Sequence, residues 1–357
     1  MNEVMTAAVL HGKEDLRLEQ VALPTAGAGE VVLRVGAALT CGTDLKVYRR
    51  GYHALMLTPP VAFGHEVAGV VAEVGEGVTR FEPGDRVVAL NSAPCERCFW
   101  CGKGQPNLCA DLLFNNGAYA EYMRIPARIV EKNTLRVPEG MLLEHAALTE
   151  PLACVVRGVE ECQATAGDTM VVIGAGPIGL MFMHVAELSG LNVIAVVRRE
   201  SQRAAAKMFG ASEVVIAGED EETIESVRAL TPDGRGVDIA IEAVATPTTW
   251  GWAVGMVRRG GVVNFFGGPA SGTMVSFDTN RLHYGDIKLL ASFHHTPSTC
   301  RTAFELLCSG RFKCAEYITG RAGLDEVPEL FQQMSTRNGG SGILDIKTAV
   351  LPAGVAL

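Results

Sequence analysis

Two rhythms of hydrophobic and polar positions divide the chain. The first half carries short β-branched runs bounded by glycine and proline, such as Glu30-Val31-Val32-Leu33-Arg34-Val35 and Arg86-Val87-Val88-Ala89-Leu90. Runs of that length and composition predict β-strands in a barrel-like domain. From about residue 168 the pattern becomes strand, glycine turn, helix, repeated. Segments 170–173, 192–197, 237–241 and 261–266 predict buried strands, and 178–188 and 201–209 predict helices. This alternation is the pattern of an α/β, doubly wound parallel sheet. No internal repeat or low-complexity segment interrupts it.

A chain of 357 residues exceeds one ordinary core, so two domains are expected. Hydrophobic content of 48% with 20% charged residues describes a soluble globular protein. The net charge is 31 − 40 = −9, with no Lys/Arg run longer than a pair, which argues against a nucleic-acid partner. No segment has the length of a membrane span, and the N-terminus lacks the pattern of a signal peptide, so a cytoplasmic location without membrane attachment is expected. Ten cysteines in such a chain point to metal binding or reduced thiols rather than disulfides. Five have metal spacing; Cys154, Cys162, Cys300, Cys308 and Cys314 lie in apolar or helix-like contexts and are expected to be buried small hydrophobes.

Gly174-Ala175-Gly176-Pro177-Ile178-Gly179 follows a predicted strand and opens a predicted helix, the context that a dinucleotide fingerprint requires. Its first glycine permits the tight turn, its second admits a pyrophosphate, and its third packs helix on strand. The next strand ends Val196-Val197-Arg198-Arg199, with no carboxylate before Glu200. NAD sites place an acidic residue there against the ribose 2′-hydroxyl. Val197 or Arg198 holds the deciding position, and two guanidiniums suit a 2′-phosphate, so NADP(H) is favoured over NAD(H). Alternatively the two arginines simply begin a surface helix.

Cys41-Gly42-Thr43-Asp44 and Gly64-His65-Glu66 offer a thiolate, an imidazole and a carboxylate, a mixture that a borderline-soft ion accepts. Together they read as a catalytic metal site. Bound zinc would act as a Lewis acid on an alcohol oxygen. Thr43 can pass a proton outward, and Asp44 can accept the His65 ring N–H, although both also suit an ordinary turn. Cys95, Cys98, Cys101 and Cys109 lie within 15 residues among Pro94, Gly102, Gly104 and Pro106. Four thiolates in such a loop close around one structural zinc, with an iron–sulfur cluster as the rival on ligand type alone.

These motifs, in this order over nearly the whole chain, resemble the zinc-containing medium-chain alcohol and polyol dehydrogenases. The resemblance implies a GroES-like β-barrel catalytic domain over 1–153 and 294–357, and a Rossmann dinucleotide-binding domain over 154–293. It implies two zinc ions per chain, a small alcohol or polyol substrate, and a homodimer or homotetramer. Glu150, in Leu148-Thr149-Glu150-Pro151, falls where the polyol branch carries a glutamate ligand, giving Cys41, His65, Glu66 and Glu150 as the catalytic set. Glu66 is a third ligand or an outer contact; Cys154 is a rival thiol with the wrong spacing. Lys46 stands where related enzymes continue the proton relay with a histidine, so it is expected in the relay or near the cofactor phosphates. His294 and His295 stand where sorbitol-type enzymes carry Arg-Tyr and are expected to hydrogen-bond a polyhydroxylated substrate, to face solvent, or to be satisfied in an interface. The expected reaction is hydride transfer between a secondary alcohol, such as a polyol or sugar derivative, and NADP or NAD. The alternatives are threonine dehydrogenase-like amino alcohol oxidation and a non-catalytic dinucleotide- and zinc-binding sensor.

Overall fold

The computed structural model describes residues 3–53, 55–336 and 346–352. They fall into two compact units, one running to Ala153 and resuming at His295, the other covering Cys154–His294.

In the first unit, the nearly continuous apolar strand Val31–Leu39 lies at the centre of a seven-stranded sheet. Its neighbours are the antiparallel strands Glu66–Val74 and Tyr122–Ile125. A strand packed on both faces needs apolar residues at successive positions rather than alternation, which is why all but Arg34 is buried. The tail returns to this sheet, with Lys347–Leu351 pairing Val31–Leu39 and, in parallel, Ile318–Gly323. Phe63, Tyr119 and Phe331 fill the core beneath, with ring centroids 5.4–5.9 Å apart.

The second unit is a six-stranded parallel sheet. Its order is Glu213–Ile216, Asn192–Val197, Thr169–Ile173, Val237–Glu242, Val257–Phe265, Lys288–Leu290. Chain order reverses between Thr169–Ile173 and Val237–Glu242, and a sheet of this kind binds ligands at the carboxyl ends of strands at that reversal.

Several elements differ from the sequence expectation. The helix expected over 201–209 is a tight turn, Glu200–Gln202, followed by Arg203–Met208, because Gln202 Oε1 accepts from both Arg198 N and Arg199 N at 3.2 Å. The strand expected over 261–266 spans Val257–Phe265, since the Arg258 Nε to Asp238 Oδ1 pair at 2.6 Å accommodates a charged residue between strands. Cys162, Cys300 and Cys314 are buried, whereas Cys154 is half-buried and Cys308 is exposed. In the helix Pro297–Cys308, Cys300, Ala303 and Leu307 form the buried face, and one further residue turns Cys308 outward.

Candidate active site

Cys41 is the N-cap of the helix Gly42–Arg50, so its sulfur meets a backbone donor, Thr43 N, at 3.4 Å. His65 precedes the strand Glu66–Val74, and the sulfur, the His65 ring and the Glu66 carboxylate lie within 4.8 Å of one another. Asp44, buried one turn into the same helix, places Oδ1 2.7 Å from His65 Nδ1. Acceptance there places a ring proton on Nδ1, so Nε2 is the nitrogen that would give up its proton to face an ion. Burial opposes charge on His65, but Asp44 and Cys41 outweigh it and hold the ring well above its ordinary pKa.

Two residues that the sequence reading passed over complete this arrangement. The Tyr119 hydroxyl lies 2.7 Å from Asp44 Oδ2, fixing the carboxylate from its other side. Gly64 makes room for that ring: at φ +90°, a Cβ there would sit 2.8 Å from Tyr119 carbons. Lys347 Nζ donates to Glu66 Oε1 and Oε2 at 2.8 and 2.6 Å and to Thr40 O at 3.0 Å. Burial disfavours the Lys347 charge, but Glu66 outweighs it and keeps the amine protonated. Glu66 therefore stands beside the cysteine and histidine with both oxygens engaged by a cation. A lone lysine in the apolar strand Lys347–Leu351 was the available signal for this pair.

Glu150 lies in the first turn of the helix Thr149–Glu161 and is buried. Burial, opposed by His65 and reinforced by Glu66, pushes its carboxyl up to about 7. Thr43 is half-buried and Lys46 exposed on the Gly42–Arg50 helix. His295 does not face solvent but is buried, its ring contacting Asn91 Oδ1 at 2.9 Å and Cys300 Sγ at 3.2 Å. His294 ends the second unit in the left-handed region (φ +68°), with its carbonyl accepting from Arg157 Nη1 at 3.1 Å.

Cys95, Cys98, Cys101 and Cys109 bring their sulfurs within 4.8 Å of one another. Backbone N–H groups of Cys95 and Asp111 approach Cys109 Sγ at 3.2 and 3.4 Å, and that of Ala110 approaches Cys98 Sγ at 3.4 Å. Backbone N–H groups of Cys101 and Ala110 pull Cys98 down to about 6, while burial and then the Cys98 contact push Cys101 up to about 12. Thiols crowded this closely compete for negative charge, a conflict that a divalent cation removes. Four sulfurs fit a closed tetrahedral site, and the S/N/O set at Cys41 and His65 fits an open one.

In the second unit, Gly174 turns the chain at φ +105° after Thr169–Ile173, and Gly176 is the N-cap of Pro177–Leu188, with Pro177 at its first position. Ile178 continues that first turn. A Cβ on Gly179 would lie 1.9 Å from Gly174 O, so only glycine allows the helix this close to the strand. Val197 is buried at the end of its strand, Arg198 is exposed and Arg199 half-buried. Glu200, the first carboxylate after that strand, is bound by Arg203 Nε at 2.5 Å. Among the described residues neither Arg198 nor Arg199 is in an ion pair.

A metal-ligand cluster beside a barrel-type sheet and a glycine turn at a parallel-sheet reversal define a metal-dependent, nicotinamide-linked oxidoreductase. Residues 27–138 match the alcohol dehydrogenase GroES-like domain, and residues 177–309 match the zinc-binding dehydrogenase domain. The chain is 30% identical to sorbitol dehydrogenase of Bacillus subtilis (strain 168) over 92% of its length and 93% of that protein's. It is 33% identical to L-threonine 3-dehydrogenase of Pyrococcus furiosus over 97% of its length and 100% of that protein's. A protein assigned to the zinc-binding dehydrogenases of Sinorhizobium meliloti 1021, solved with NADP bound, superimposes with a TM-score of 0.87 at 29% identity, covering 98% of this chain and 100% of that one. The chain belongs to the zinc-containing medium-chain dehydrogenase family, and it is an enzyme acting on CH–OH donors. No helix among the described residues is long and apolar enough to cross a membrane.

Proposed function

We propose that this enzyme interconverts a secondary alcohol, a polyol or sugar derivative, with its ketone, using NADP(H) in preference to NAD(H). The observation that carries this reading is the pairing of half-buried Cys41 with buried His65, whose ring is oriented by Asp44. Cys41 and His65, with Glu150 as the further ligand, would hold zinc, which would supply Lewis acidity toward the alcohol oxygen, and Glu66, held by Lys347, would tune the site from outside. Gly174, Gly176, Pro177, Ile178 and Gly179 would hold the NADP pyrophosphate, and Val197, Arg198 and Arg199 would meet its 2′-phosphate. A bound nicotinamide would accept the hydride of the carbinol carbon, and the Thr43 hydroxyl would take the substrate's hydroxyl proton and pass it to water. Lys46 lies one turn along that helix, on the exposed route outward. His294 contacts the substrate hydroxyls. Cys95, Cys98, Cys101 and Cys109 hold a second, structural zinc, and the enzyme works in the cytoplasm as a homodimer or homotetramer.

A second reading, oxidation of L-threonine, is favoured by the L-threonine 3-dehydrogenase similarity over the full length of that relative. Nicotinamide reduction by zinc-replete protein, with polyols, simple secondary alcohols and L-threonine against NADP+ and NAD+, separates the two. Chelator-sensitive turnover of a polyol with NADP+ is expected. Turnover of L-threonine alone selects the second reading. Tight NADP+ binding without turnover of any alcohol would leave the chain a sensor.

A further inference from the structure

We propose that His295 is a positioning residue for the Glu150 carboxylate, held by the Cys300 thiol on one ring nitrogen and by Asn91 on the other. The inference rests on Glu150 being a metal ligand, as read above. His295 Nε2 lies 2.9 Å from Asn91 Oδ1 and 3.9 Å from Glu150 Oε1, and Nδ1 lies 3.2 Å from Cys300 Sγ. All four residues are at most 6% exposed.

The hydrogen bonds determine the state of the ring. An amide oxygen only accepts, so Nε2 carries a proton, and in the neutral ring Nδ1 is then the acceptor. Cys300 must donate its S–H to it. The ring thus directs a fixed N–H dipole into the space shared by Asn91 and Glu150.

The backbone explains why the ring cannot wander. Thr296 is the N-cap of Pro297–Cys308, in a reciprocal capping box with Thr299, which places His295 just before the cap and Cys300 four residues after it. Those two positions usually hold an apolar staple that fixes the chain's entry into the helix. Here a histidine and a thiol fill them, and the staple carries a polar ring to the buried side of Glu150. The Nε2–H is taken up by Asn91, and Glu150 Oε1 lies 3.9 Å away, where it meets the positive end of the ring dipole without a hydrogen bond.

The test uses the full-length enzyme with cobalt(II) replacing zinc, and compares His295→Phe with His295→Gln, and Cys300→Val with Cys300→Ser. Phe and Val keep the packing and remove the polar contacts, whereas Gln and Ser retain a donor. His295→Phe is expected to alter the visible spectrum of the catalytic-site cobalt and to lower its affinity about 10-fold. It should lower kcat with the KM for NADP+ unchanged, and His295→Gln and Cys300→Ser should restore both signals. A folded His295→Phe protein with the wild-type cobalt spectrum and metal affinity would overturn the proposal and leave His295 a satisfied core residue. If His295→Phe does not fold, Cys300→Val with a wild-type spectrum overturns it equally. Wild-type protein that takes up cobalt at the four-cysteine site alone refutes the metal reading itself and this inference with it.

Discussion

Asp44 concentrates the most consequence in one side chain, because it orients His65 and is itself held by Tyr119. Asp44→Asn should keep the shape and lower zinc affinity or kcat about 10–100-fold, as loss of an outer partner of a histidine ligand does. Metal analysis after dialysis, alongside steady-state rates, checks this. Away from the metal, Asp238 accepts from Thr169 N at 2.7 Å and Arg258 Nε at 2.6 Å. Burial opposes its ionisation, but those donors outweigh it and hold the carboxyl below its ordinary value of 3.8. Its contribution to stability is therefore complete above that value and is lost as pH falls through the lower, folded one. Asp238→Asn should cost about 1 kcal/mol at neutral pH and remove this acid-side loss. Urea unfolding at neutral and acid pH measures both.

At the scale of the element, the glycine turn and the four-cysteine loop make opposite demands. The helix Pro177–Leu188 needs an absence, since a Cβ on Gly179 meets Gly174 O at 1.9 Å. Gly179→Ala should push helix from strand, costing about 1–3 kcal/mol and abolishing tight NADP+ binding while metal content stays at the wild-type level. Calorimetry with NADP+ and metal analysis of one preparation check both halves. The cysteine loop needs a presence. Its only regular pieces are the short turns Phe99–Gly102 and Pro106–Leu108, too small to hold themselves. Cys98→Ser should release the metal of this loop and open it to limited proteolysis, while the metal at Cys41 and His65 is retained.

The whole molecule has separate cores, one around Phe63, Tyr119 and Phe331 and one around Val171, Ile194 and Val263. Each candidate ligand should therefore stabilise the core that binds it. Trp100 lies in the first unit and Trp250 and Trp252 in the second. In a Trp100→Phe variant, NADP+ at about 100 times its Kd should raise the stability reported by the remaining tryptophans by about 2.7 kcal/mol. Chelation should leave that signal little changed. Equal responses to both ligands would mean that the two units unfold as one.

The sequence by itself determined the parts whose chemistry is local. Four cysteines in one loop, a glycine turn between strand and helix, and Cys41 two residues before Thr43 are short-range patterns set by spacing and backbone sterics. The four inner parallel strands of the second unit were legible for the same reason, because each repeats one apolar run, whereas the short edge strands Glu213–Ile216 and Lys288–Leu290 were not. Element edges were less so: Gln202 converted a helix start into a turn through two hydrogen bonds, and the Arg258 to Asp238 pair drew a strand back to Val257. Only the tertiary structure decided which residues surround the site. Lys347 reaches Glu66 from 281 positions away, Tyr119 reaches Asp44 from 75, and His295 meets Asn91 across 204. Such partners leave no periodic trace, since a buried charge or ring requires only one complementary group in space, and the fold alone chooses where in the chain it comes from.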